Sequence, residues 1–329
     1  MKILLTGATG FLGFRTLEKL VELPQVSKII ATGRVLKKLH TISHPKVKYI
    51  LGDLTDQLFV QQLVNQVNYI IHAAALSSPW GEYKDFEAAN LTSQINLVQA
   101  CKNIEIKKYV FISTPSLYFD STDRFNIKES DPLPSKFINA YAETKRLAEI
   151  ELEKSSIPYI ILRPRALTGR GDTVIMPRLI RAFNEGKLKI IGNGENIVDL
   201  TSVANVADAI ILSIDAPENA CNEIYNISNG EPVNLWEKIN MVLQLLNKNI
   251  SDKKAPYFIV NILAHLLEFK AKISNGNEPA LTVYSAGTLA KSFTMDISKA
   301  NLLLDYKPKV STDEAIHEFI KWYKENEEN

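Results

Sequence analysis

The sequence predicts an α/β fold, a doubly wound parallel sheet joined to a smaller, mostly helical C-terminal unit, and three observations carry that prediction. Short, nearly all-apolar runs alternate with helical patterns from the start of the chain, which implies a parallel sheet covered by helices on both faces. The first run, Ile3-Leu4-Leu5, leads straight into glycines at 7, 10 and 13, and an amphipathic pattern from Arg15 to Leu23 follows. From Pro164 the pattern loosens under Gly169, Gly171, Pro177, Gly186, Gly192 and Gly194, and beyond Gly230 helices dominate.

The first strand, turn and helix read as a phosphate cradle. Gly7 permits a tight turn, Gly10 lets a pyrophosphate approach the backbone, and Gly13 lets helix and strand pack closely. Phe11 and Leu12, between the last two glycines, are expected to join the cofactor-binding set, and the start of the following helix would supply free N–H groups to the phosphates. Further strands are predicted at 28–33, 47–51, 68–72, 108–113 and 158–163, with helices at about 85–104 and 140–154. A helix at 204–215 and a strand at 222–227 return to the sheet. Asn234 caps one later helix, and Ser311 with Glu314 forms a capping box for the last. The expected division is a Rossmann-type dinucleotide-binding domain of residues 1–166 plus about 197–228, and a substrate domain of about 167–196 plus 229–329.

Composition limits the function classes. The chain has 329 residues, 46% apolar and 23% charged, enough for a large core. A net charge of +1 argues against nucleic acid as the main partner. Cys101 and Cys221 show no metal-ligand spacing, so both read as reduced core thiols and no metal is expected. The first residues enter a strand without a leader pattern, which gives a cytoplasmic expectation. Residues 257–267 are the most apolar stretch, too short to span a bilayer. They read as a buried or pocket-lining helix, ahead of a dimer contact and then a membrane-surface helix.

Chemistry centres on Tyr141-Ala142-Glu143-Thr144-Lys145, where Tyr141 and Lys145 share a helix face. A free phenol ionises near pH of about 10, and a lysine ammonium beside it lowers that value, so that Tyr141 acts as acid or base toward a carbonyl or alcohol. Thr114 and Ser116 follow the fifth strand, at the end of a parallel sheet where ligands bind. Thr114 is therefore expected to hydrogen-bond the reacting oxygen. The second strand ends in Thr32-Gly33-Arg34, where a ribose-binding acid would stand. A guanidinium there favours a 2′-phosphate, hence NADP ahead of NAD.

In order, TGATGFLG, GDLTD, HAAA, STPS and YAETK make the chain resemble an extended short-chain dehydrogenase/reductase from Met1 to about Tyr323. The resemblance implies a Rossmann sheet, a small substrate domain, and Thr114, Tyr141 and Lys145 as the catalytic set, with Lys145 also holding the nicotinamide ribose. It further implies a supporting role for Asn90 in a proton relay. Asp53 and Leu54 would lie beside the adenine, Ala73, Ala74 and Ala75 beside pyrophosphate and ribose, and Pro164 beside the nicotinamide. Ser78-Pro79-Trp80-Gly81, Leu162-Arg163-Pro164-Arg165 and Gly169-Arg170-Gly171-Asp172 are similar to the 3β-hydroxysteroid dehydrogenase-like branch, including 2-alkyl-3-oxoalkanoate reductases. That branch implies an apolar small-molecule substrate, expected to meet Trp80, Ser116, Arg165, Met176 and Arg178, and a homodimer. The competing branch, nucleotide-sugar epimerases and dehydratases with bound NAD, carries an arginine–aspartate pair where this chain has Val198 and Asp199, and favours aspartate where Asn205 stands. Arg165, Arg170, Arg178 and Arg181 remain as basic groups for a carboxylate or phosphate. A cofactor-sensing protein without turnover would be expected to lack the Tyr141–Lys145 pair.

Overall fold

The computed structural model describes residues 1–251, 253–274 and 278–327. Strands β1 (Lys2–Thr6), β2 (Lys28–Thr32), β3 (Val47–Tyr49), β4 (Tyr69–His72), β5 (Lys108–Ile112), β6 (Tyr159–Pro164) and β7 (Glu223–Ile227) form one parallel sheet in the order 3-2-1-4-5-6-7. Leu4 pairs with Ile30 on one side and Ile70 on the other, which sets the central register.

Side-chain alternation divides the core into two layers. Ile3, Leu5, Val110, Ile112, Ile160 and Leu162 pack toward helices α1 (Phe11–Glu22) and α7 (Val203–Asp215). Their neighbours Leu4, Tyr109, Phe111 and Ile161 pack toward α2 (Gln57–Val64), α4 (Ser93–Ala100) and α5 (Ala140–Glu153). Helices cover both faces, and so the centres of the strands carry apolar residues at successive positions. Residues 297–306, grouped with the second unit in the sequence, also enter this core through Ile297, Ala300, Leu304 and Tyr306.

The central helix departs from the expected single run at about 85–104. It is built of α3 (Tyr83–Phe86), a π turn at Glu87–Thr92 and α4. Such a turn often marks a functional position, and Asn90 lies inside it. The second unit packs α6 (Ile175–Asn184), α8 (Leu235–Leu245), α9 (Tyr257–Ile273), α10 (Val283–Ala290) and α11 (Thr312–Glu327) around a small four-stranded sheet and two short strand pairs. The Asn234 cap forms, its Oδ1 accepting from the N–H of Trp236 and Glu237. Ser311 and Glu314 exchange the two bonds of a capping box.

Two expectations need correction. Helix α9 is not buried: Phe258, Ile262, Leu266 and Phe269 are exposed, and among its described residues only Ala264 and Ala271 are buried. The cause is that only its narrow, small-residue face meets α10. Cys221 is half-exposed rather than a core thiol, because it follows a surface turn, whereas Cys101 is buried and its thiol pushed up to about 12 by desolvation. Among the described residues, no helix is long and apolar enough to cross a membrane.

Candidate active site

The sheet's strand order reverses between β1 and β4, and the carboxyl ends of its strands converge there. This is where parallel sheets of this kind hold ligands. Gly7 has a φ of 69°, and a Cβ on it would stand 2.7 Å from the Ala74 nitrogen. A Cβ on Gly13 would lie 2.0 Å from the Gly7 oxygen. The turn is thus closed against both its own helix and the Ala73–Ala75 loop, and no other residue type fits either position. Gly10 occupies the cap position of α1 and brings no side chain to its N–H groups. An open helix start beside glycine backbone suits a pyrophosphate.

The far end of this cleft carries Arg34, exposed after β2, with Asp53 and Leu54 after β3. Asp53 turns into its own loop, where its Oδ1 accepts from the Thr55 N–H and hydroxyl, both at 2.9 Å. Those bonds, with a smaller contribution from Arg34, lower its carboxyl pKa. Buried His40 had no place in the sequence reading. Its ring nitrogens lie 3.3 Å from the Thr9 oxygen and 3.1 Å from the Gly171 oxygen, tying two loops to the glycine turn.

The reacting groups sit where β5 ends and α5 begins. Asn139 caps α5 by accepting from Ala142 N–H at 2.9 Å, which presents Tyr141 in the first turn. The Ser77 and Thr114 side chains face the Tyr141 phenol and act to lower its pKa. Thr114 donates to the Ser116 hydroxyl at 3.1 Å, and that hydroxyl meets the Tyr284 hydroxyl at 2.8 Å. A hydroxyl chain therefore leads from Tyr141 to a half-buried tyrosine on α10. Ser77 and Tyr284 are the contributors that sequence reasoning missed. Ser77 stood next to the marked Ala73–Ala75 loop, but nothing local signals Tyr284.

Lys145 lies one turn beyond Tyr141, with Nζ donating to the Ile112 oxygen at 2.6 Å and 4.0 Å from the Phe111 ring centre. Burial lowers its ammonium to about 7. This corrects the expected pairing: burial raises the Tyr141 phenol, the Ser77 and Thr114 side chains oppose it, and Lys145 is not among the groups that set it. The phenol is thus protonated at neutral pH, the form of a proton donor.

Asn90 holds the loop rather than a free proton path. Its Oδ1 accepts from Leu76 N–H at 2.8 Å and its Nδ2 donates to Thr144 at 3.1 Å. Pro164 is buried at the end of β6. Trp80 is half-buried in the loop beyond Ser77, with Lys272 6.0 Å from its ring.

The remaining substrate-side residues are engaged elsewhere. Arg165 is buried over the Phe293 ring at 4.4 Å. Met176 is enclosed with Ile180, Val242 and Phe319. Arg178 pairs with Glu278 at 3.1 Å, and Arg170 with Glu18 at 2.6 Å. Asp199 accepts from Met295 N–H at 2.7 Å, and burial pushes its carboxyl up to about 6. Among the described residues there is no cluster of metal-ligating side chains.

Residues 3–228 match the NAD dependent epimerase/dehydratase family. A 2-alkyl-3-oxoalkanoate reductase of Stenotrophomonas maltophilia is 32% identical, over 96% of this chain and 97% of that protein. The sterol-4-alpha-carboxylate 3-dehydrogenase of Candida albicans is 28% identical over 98% of each. Among solved structures, the Bordetella bronchiseptica enzyme WbmH in complex with NAD+ superposes with a TM-score of 0.78 over 99% of each chain, at 19% identity, a likeness of fold. With its glycine cradle, Tyr–Lys helix and full-length relatives, the chain belongs to the NAD dependent epimerase/dehydratase family.

Proposed function

We propose that the protein is an NAD(P)-dependent oxidoreductase that interconverts a ketone and a secondary alcohol on an apolar substrate, a 3-oxo acid or a 3β-hydroxysteroid-like molecule. The observation that carries this reading is the convergence of Tyr141, Thr114 and Ser77 at the strand ends, beside a turn that only glycine can form. When bound, the dinucleotide supplies or accepts the hydride at the carbonyl carbon. Gly7, Gly10, Phe11, Leu12 and Gly13 would hold its pyrophosphate, Ala73–Ala75 and Lys145 its riboses, and Pro164 its nicotinamide edge. In the reducing direction Tyr141 gives its phenolic proton to the carbonyl oxygen, while Thr114 orients that oxygen. The string Tyr284–Ser116–Thr114 then carries a proton from solvent back to the Tyr141 phenolate.

The relatives named above support a 3-oxo or 3-hydroxy substrate. Two of the arginines support the same choice, because Arg170 and Arg178 are already paired with Glu18 and Glu278 rather than free to clamp a nucleotide-sugar phosphate. Net consumption of reduced cofactor with a 3-oxoalkanoic acid or 3-oxosteroid tests the reading, and turnover confined to nucleotide sugars sinks it.

Arg34 at the end of β2 supports NADP over NAD. Parallel fluorescence titrations should show NADPH binding at least about tenfold tighter than NADH, with the preference lost in Arg34→Ala, since one charge-assisted contact is worth on the order of 1.5–3 kcal/mol. Equal or tighter NADH binding contradicts the assignment.

A further inference from the structure

Helix α9 turns its apolar side outward. At 100° per residue, Phe258, Phe269, Ile262, Ile273, Leu266 and Ile259 fall in one arc of roughly 100°. Their exposures run from 52% to 70%, whereas Ala264 and Ala271 on the opposite side are buried. The strip is about 22 Å long at 1.5 Å per residue. It leaves six large apolar side chains side by side in water, and a contiguous patch of that kind marks an interaction surface.

Among the described residues of α9 and the two lysines before it, the exposed charges have one sign. Lys253 and Lys254 precede the helix and Lys270 and Lys272 close it, all exposed. The one acid in α9, Glu268, is turned inward and accepts from the Val283 N–H at 2.7 Å. A two-fold contact between copies through this strip would set these lysines against lysines, with no acid of the described residues of α9 exposed between them. Anionic headgroups complement both ends.

We propose that α9 is a membrane-surface helix, which lays its strip into the headgroup–acyl boundary of an anionic bilayer with its lysines on the headgroups. The strip adjoins the site on two sides. Lys272 stands over Trp80, and Glu268 is bonded to α10, whose Tyr284 meets Ser116. Passage of an apolar substrate from the bilayer to Tyr141 follows only if the function proposed above holds; membrane binding does not depend on it.

The test is co-sedimentation of the full-length protein with phosphatidylcholine vesicles, with and without phosphatidylglycerol. The protein should bind the anionic vesicles, and Ile262→Ser/Leu266→Ser/Phe269→Ser should weaken binding at least about tenfold, with thermal midpoint and dinucleotide affinity retained. Lys270→Ala/Lys272→Ala, which leaves the apolar strip in place, should weaken binding to anionic vesicles by about tenfold and reduce its salt dependence. Absence of sedimentation, or equal binding by the serine variant, overturns the proposal. So does a dimer-to-monomer change in light scattering without vesicle binding, which would assign the strip to a second copy. No turnover is needed, so failure here leaves the enzymatic reading standing, and the reverse.

Discussion

Tyr141→Phe is expected to lower turnover by about 10²–10⁴-fold, the range for removing a positioned general acid, while dinucleotide binding and thermal stability stay unchanged. The separation is possible because the phenol meets Ser77 and Thr114 through its hydroxyl, whereas the glycine turn and Arg34 lie on other elements and Lys145, on the same helix, is held by the Ile112 oxygen. Phenylalanine keeps the ring and its packing and removes only the proton. Single-turnover rates at saturating cofactor would read the loss directly. A variant that keeps its rate would move the proton donor elsewhere, with Tyr284 the next phenol along the string.

The second large effect is on stability. Glu149 is one helical turn beyond Lys145, and its two oxygens accept from Arg163 at 2.8 and 2.6 Å. Arg163 is 2% exposed and Glu149 0%, and Arg163 also donates to the Tyr118 hydroxyl. The pair ties α5, which carries Tyr141 and Lys145, to β6, which ends in Pro164. Glu149→Ala leaves a guanidinium uncompensated in the interior and should cost about 3–5 kcal/mol. Urea unfolding would measure it. Burial alone would raise the Glu149 carboxyl, but the Arg163 charge and bonds, with Ser113 and Arg146, outweigh burial and hold it below its ordinary value. A carboxyl lowered by folding contributes stability above its unfolded pKa and loses it as pH falls through the folded one. The gap between wild type and Glu149→Ala should therefore be full at pH 7 and shrink in acid. A gap that persists unchanged in acid would assign the cost to lost packing.

Much of the frame is local and could be read from the chain. Alternating apolar strands, the glycine spacing, the Asn139 and Asn234 caps and the four-residue step from Tyr141 to Lys145 each depend on neighbours in sequence. What the sequence could not show depends on long-range partners. Ser116 and Tyr284 are separated by 168 positions. Arg170 and Arg178 looked available for substrate until Glu18 and Glu278 met them. Met176 looked pocket-facing, but α6 turns it into the packing against Phe319. Helix α9 is the sharpest case, since an apolar run has the same composition whether its wide face is covered or bare. Only the narrow fit of Ala264 and Ala271 against the rest of the fold decides that.

The most direct test of the central claim follows the hydride. Reduced dinucleotide carrying deuterium at the transferable nicotinamide position, incubated with a 2-alkyl-3-oxoalkanoic acid and with a 3-oxosteroid, should place one deuterium on the carbinol carbon of the alcohol formed from one of them. One equivalent of cofactor should be oxidised per alcohol. Inertness toward both ketones, with epimerisation or dehydration of a nucleotide sugar and no net cofactor consumption, would contradict the account.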